Sequence, residues 1–331
     1  MEKVFHVLAI AVVVGVAGHV ARGIVSGSWV GGSVASGDDV TDSLLLSQDG
    51  GTTFIPVSAD RRRFVMRAII SAPDASGMLY MGTDKGLMIS DDEGASWHSF
   101  VDLRKELSAS ADVFALAADG GTMYAGGERG GGGFIYETTD RFFTVTPIFT
   151  SPKSAVRALA FSAGRLMIGL ADGRMLSYDP ADSSFRSLAA LGSPVVGIYT
   201  DSGGMHVATK SAGMFVRLAS GDFRALEETA RAPLVGGAWN RSFLYLASAH
   251  GLLRSADSGN SWTLLPTVTP NGTPLSAIAV SSAVVIVGAE RQLYETRDNG
   301  LRWRLLTPTP LPRDIAAIAI REDGGVFVGM K

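Results

Sequence analysis

The feature that most constrains this chain is a short pattern that returns in register. A hydroxyl residue is followed two places on by aspartate, then by glycine, then by a hydroxyl or polar residue and an aromatic. It stands at Ser47, Asp49, Gly51, Thr53 and Phe54, and again at Ser90, Asp92, Gly94, Ser96 and Trp97. It returns at Ser255, Asp257, Gly259, Ser261 and Trp262, and at Thr296, Asp298, Gly300, Arg302 and Trp303. Weaker copies fill the interval. Asp140 leads to Phe142 and Thr144, Asp179 leads to Phe185, and Leu218 stands where the aspartate is lost. The anchors at 49, 92, 140, 179, 218, 257 and 298 are spaced by 39 to 48 residues. A period near 40, with room for four short strands per unit, predicts the blades of a β-propeller.

Each anchor after the first is preceded by a recurrent strand pair. Arg67-Ala-Ile-Ile, Phe114-Ala-Leu-Ala and Arg157-Ala-Leu-Ala open three of these pairs, and Leu79-Tyr-Met-Gly, Met123-Tyr-Ala-Gly and Leu166-Met-Ile-Gly complete them. Small residues end the second strand because neighbouring blades converge near the axis. A final pair, Asp314 to Gly329, has no box after it, while the box at Ser47 has no pair before it. Joined, they make one blade and leave no open sheet edge. The expectation is an all-β, seven-bladed propeller closed by both ends of the chain, with residues 43–331 as one domain. The 40 glycines in 331 residues fit that many turns.

The repeated pattern resembles the Asp-box of sialidase-type (BNR) repeats. Its residues carry a structural role on elementary grounds. Asp49, Asp92, Asp140, Asp179, Asp257 and Asp298 are placed to accept backbone N–H groups of their own turns, and Trp97, Trp262 and Trp303 to bury large rings between sheets.

Residues 4–20 carry no Lys, Arg, Asp or Glu. That length just suffices for a spanning helix and also fits a signal-peptide core. No Ala-x-Ala cleavage site follows, so residues 1–21 are expected to be a retained transmembrane or signal-anchor helix, with contact to the lipid bilayer through 4–20. Residues 22–42, rich in Gly and Ser, read as a linker. The propeller is then expected on the periplasmic, lumenal or extracellular side.

Other classes are disfavoured by what is missing. Cysteine is absent, and a net charge of −3 does not fit a nucleic-acid partner. Glu227 and Glu228 are adjacent and cannot flank one bond as opposed acids. His98, His206 and His250 are scattered over separate units, and Gly130 to Gly133 read as a hairpin turn with no helix behind it. No catalytic residues, metal site or cofactor are expected. A binding surface is better supported. Arg61, Arg62 and Arg63 lead into Arg67, and Arg157 holds the same repeat column as Arg67 two blades on. Arg104, Lys105 and Arg313 fall in equivalent inter-blade loops. Arginine suits carboxylate partners and interface hot spots.

The whole pattern resembles the photosystem II stability/assembly factor-like proteins. The resemblance covers residues 43–331 and rests on the boxes at Ser47, Ser90, Ser255 and Thr296. It implies a non-catalytic propeller that docks on membrane protein subunits through an arginine-rich face. Here it implies an accessory, scaffold or assembly subunit of a membrane complex, with a photosynthetic reaction centre as one candidate. The competing expectation is a sialidase-like or glycan-binding extracellular propeller.

Overall fold

The computed structural model describes residues 10–11 and 40–331, apart from 61–62, 73–76, 101–106, 108–109, 202–203, 231–232, 241, 249, 267 and 322. The expected membrane segment therefore lies outside the described residues but for Ile10–Ala11, a two-residue strand paired antiparallel with Leu116 and Ala115. Among the described residues, no helix is long and apolar enough to cross a membrane. Arg61, Arg62, Arg104 and Lys105 also lie outside them.

The chain is all-β and folds as successive four-stranded antiparallel units. One runs Asp112–Asp119, Thr122–Arg129, Gly132–Thr138 and Thr146–Ser151. The next runs Val156–Ser162, Arg165–Leu170, Arg174–Asp179 and Ser184–Ala190. Three more begin at Val195–Asp201, Leu234–Trp239 and Ala277–Val280. Ile315–Ile320 and Val326–Met330 pair onward into Val40–Ser47 and Ile55–Ala59, with Leu45 opposite Val328. Met66–Ser71, Leu79–Thr83, Gly86–Ser90 and Ser96–Ser99 form the remaining unit. Its outer strand also pairs in parallel with Ile55–Ala59, Ser58 opposite Ser96, which merges two units into one eight-stranded sheet. Asp60 reinforces that seam by accepting the N–H of Ser99 at 2.6 Å and its hydroxyl at 2.8 Å. First strands touch in order around an axis, and Ile315–Ile320 reaches back to Met66–Ser71.

Convergence at the axis explains the small residues. A Cβ on Gly82 would stand 2.5 Å from the carbonyl oxygen of Val113, and one on Gly126 2.7 Å from a methyl of Val156. In both cases the obstacle belongs to the first strand of the next unit, so side-chain volume there would push units apart. Opposite these positions the first strand carries a bulge. Met66 faces Thr83 while Ala68 faces Gly82, leaving Arg67 as the extra residue. The same slip leaves Phe114, Arg157, Val196, Val235 and Ala316 unpaired in their strands. Bulges re-aim side chains, and these residues are freed from the ladder's alternation.

The box turns hold the outer rim. Asp257 Oδ1 accepts the Ser255 hydroxyl and the Ser261 N–H, each at 2.8 Å, and Oδ2 accepts the Ser261 hydroxyl at 2.6 Å. Asp49 and Asp92 accept the same set from Thr53 and Ser96. Asp140 does so from Thr144, although Phe142 fills the glycine place at φ 68°. Phe142 is fully buried, edge-on to Tyr80 at 5.3 Å, so aromatic packing offsets a backbone conformation that costs about 1–3 kcal/mol. Asp298 keeps the Thr296 hydroxyl and the Arg302 N–H. Asp179 departs from this set, accepting the Ala181 N–H and pairing with Arg165 at 2.7 Å.

Four of the turns also clasp the unit before them. The residue after the aspartate is left-handed in Glu93, Arg141, Ser258 and Asn299, which turns its carbonyl outward. Those oxygens accept from Arg321 at 2.7 Å, Tyr80 at 3.4 Å, His206 at 2.7 Å and Arg254 at 2.8 Å, respectively. Trp97 is fully buried with its N–H on Gly94 O at 3.2 Å, and Trp262 donates to Gly259 O at 3.1 Å.

Two outcomes follow for stability. Gly82→Ala is expected to cost about 1–3 kcal/mol in urea unfolding, because its neighbour is backbone and cannot rotate away; an unchanged midpoint would contradict the close approach. The Asp257 carboxyl is held down at about 2, chiefly by the Ser261 hydroxyl and N–H. Its stabilisation is present above the ordinary aspartate range near 4 and is lost as pH falls toward 2. The stability gap between wild type and Asp257→Asn should therefore be flat from pH 7 to 4 and narrow below it.

Candidate functional site

Three of the bulged residues meet at one end of the first strands. The guanidinium carbon of Arg67 lies 5.1 Å from the Phe114 ring centroid, and that of Arg157 lies 3.7 Å from it. Two like charges thus share one aromatic face pair, each contact worth about 0.5–2 kcal/mol depending on desolvation. The arrangement is tolerable because each guanidinium has a carboxylate. Arg67 donates from Nε and Nη2 to the two oxygens of Asp112 at 3.2 and 3.1 Å, while Arg157 lies 3.9 Å from Glu128. All four charged side chains are between a quarter and about a third exposed.

The electrostatics are finely balanced. Burial pushes the Asp112 carboxyl above its ordinary value, outweighing the Arg67 guanidinium, and neighbouring Asp84 adds to the rise. Burial likewise pulls Arg157 down, against the attraction of Glu128. Asp84 is itself held by the Val65 N–H at 2.6 Å and by Lys85 at 3.5 Å. The site therefore couples semi-buried arginines to carboxylates that solvate them imperfectly. Such a pair can exchange one carboxylate for another at little cost in charge.

The repeat column brings Arg67 and Arg157 together, as their spacing implies, and Arg63 stands exposed close by in sequence. The reading from sequence missed Phe114, Asp112 and Glu128. Phe114 occupies the same column as the two arginines, so its signal was visible in the alignment of the first strands. The carboxylates come from the start of one strand and the end of the next, where no repeat pattern marks them.

Other chemistry has little to build on. The box aspartates are occupied by their own turns on separate units. Burial pushes the Tyr124 phenol up, and the Tyr245 phenol to about 12, which keeps both protonated and weakly nucleophilic. Among the described residues, no three His, Asp or Glu side chains are grouped to hold a metal ion.

No family model matches this chain, and no curated protein matches it. Solved structures do. YCF48 bound to a D1 peptide superposes with a TM-score of 0.64 at 16% identity, covering 81% of this chain and 92% of that one. YCF48 from Cyanidioschyzon merolae gives 0.61 at 12% identity, covering 81% and 96%. The extracellular domain of the putative one component system BT4673 from B. thetaiotaomicron gives 0.65 at 15% identity, covering 82% of this chain and 38% of that one. At these identities the likeness is one of fold, and the fold is a β-propeller.

Proposed function

We propose that this chain is a non-catalytic, seven-bladed Asp-box propeller, anchored through residues 4–20 and facing the periplasm, lumen or extracellular space. Its role in this reading is to dock on a subunit of a membrane protein complex, as an accessory, scaffold or assembly component. The observation that carries the reading is the Arg67–Phe114–Arg157 cluster. It presents two semi-buried guanidiniums whose carboxylate partners a protein ligand can replace, beside an aromatic ring. Arginine and aromatic side chains in a partly desolvated setting are the chemistry of interface hot spots. The solved YCF48 propeller carries a D1 peptide, which supports a peptide-docking use of this fold and makes a photosynthetic reaction centre the first candidate partner. The raised tyrosine phenols and the self-occupied box carboxylates weigh against sialidase-like hydrolysis.

Gentle detergent extraction of native membranes should recover the chain in a large complex, and deletion of residues 1–22 should release it to the soluble fraction. A monodisperse monomer in mild detergent overturns the reading. With the partner identified by mass spectrometry, Arg67→Ala and Arg157→Ala should each weaken its binding about tenfold or more. Asp112→Asn removes the internal competitor for Arg67, so affinity should rise about three- to tenfold, measured by titration of the purified partner. Weaker binding in Asp112→Asn would show that the carboxylate itself is part of the recognised surface.

A further inference from the structure

The box turns supply an internal standard against which one copy stands out. At the place before the box aspartate, four copies carry Gln48, Asp91, Thr139 and Ala256, and the fifth carries Arg297. Four places after the aspartate stand Thr53, Ser96, Thr144 and Ser261, and then Arg302. Six places after it stand Ile55, His98, Thr146 and Thr263, and then Arg304. The turn needs no arginine at any of the three, since four copies form without one.

All three arginines line a single cleft of about 490 Å³, together with Glu295, Thr296, Asp298 and Trp303. This turn differs from the other copies in two further ways. Arg302 removes the hydroxyl that elsewhere binds the second aspartate oxygen, so Asp298 takes only the Arg302 N–H from that residue. The indole N–H of Trp303 is shielded from solvent with no hydrogen-bond partner, whereas Trp97 and Trp262 donate to their box glycines.

Glu295 organises the cleft rather than neutralising it. It is nearly fully buried and takes Arg297 Nε and Nη2 at 3.0 and 3.2 Å and Arg304 Nε and Nη2 at 3.1 and 2.6 Å. A guanidinium has five N–H donors, so each arginine keeps donors to spare while its position is set by the carboxylate. Three guanidiniums, against the carboxylates of Glu295 and Asp298, leave an excess of positive charge and of N–H donors around one space. Glu295, a flat carboxylate, engages two of these arginine forks and does not engage Arg302. A tetrahedral oxyanion, with acceptor oxygens in several directions, uses three.

We infer that the Arg297–Arg302–Arg304 cleft binds a phosphate group, free in solution or carried on a lipid headgroup. The cleft belongs to a turn between third and fourth strands, whereas Arg67 and Arg157 stand at the starts of first strands, so this site is distinct from the docking cluster.

The test follows the Trp303 indole N–H cross-peak, assigned by Trp303→Phe, in ¹⁵N-labelled full-length chain in detergent micelles. Inorganic phosphate and phosphatidic acid are titrated separately, with sodium chloride at matched ionic strength as the reference. A saturable shift of that peak with phosphate assigns a soluble ligand, and a shift with phosphatidic acid alone assigns a headgroup. Arg302→Ser restores the hydroxyl of the other boxes, so it should fold with an unchanged or higher urea midpoint while weakening binding about tenfold. Arg302→Lys should retain part of the affinity. No shift with either probe, an equal shift with chloride, or undiminished binding in Arg302→Ser overturns the inference.

Discussion

Strands that converge on an axis leave no room for side chains between them, and much of this molecule answers that constraint. Glycine stands where the second strand meets the next unit, because Val113 and Val156 already fill the space. The extra residue in the facing strand is the counterpart of that crowding, since a bulge lets the ladder continue past a pinch. Arg67, Phe114 and Arg157 are such extra residues. The Arg67–Phe114–Arg157 cluster is thus a product of the packing problem at the centre, with side chains placed there by backbone geometry rather than by dedicated loops.

At the rim the demand is opposite, because sheets splay apart and must be tied. The box turn does this twice over. Its aspartate satisfies the N–H groups of a tight loop, and the left-handed residue beside it hands a carbonyl to the preceding unit. The donors vary, arginines at Glu93 and Asn299, a tyrosine at Arg141 and a histidine at Ser258. The backbone acceptor is the constant element. A backbone oxygen is indifferent to the sequence that carries it, which lets neighbouring units diverge while the tie persists.

That difference also marks how much could be read from the residues alone. The boxes were legible because their hydrogen bonds run between positions two and four apart, so composition and spacing encode them directly. Pairing of Val40–Ser47 with Val326–Met330 was legible by subtraction, as each end lacked what the other supplied. The parallel seam between Ile55–Ala59 and Ser96–Ser99 was not, because nothing local distinguishes an outer strand that will find a second partner. Nor was the neutralisation of the arginine face. Asp112 lies 45 positions from Arg67, and only the fold decides which carboxylate a cation meets. Phe142 weakened the pattern of its box by placing an aromatic where glycine was expected, and only the buried ring contacts show why the chain accepts it.

The strand Val40–Ser47 has its inner neighbour at the far end of the chain. During synthesis, at about 5–20 residues per second, it waits for tens of seconds with one edge unsatisfied. Its own unit is meanwhile held to the following one by the parallel seam and by Asp60, contacts that lie close in sequence and need none of the C-terminal strands. The merged sheet then acts as a splint, giving the waiting strand a folded neighbour along its other edge until its partner emerges.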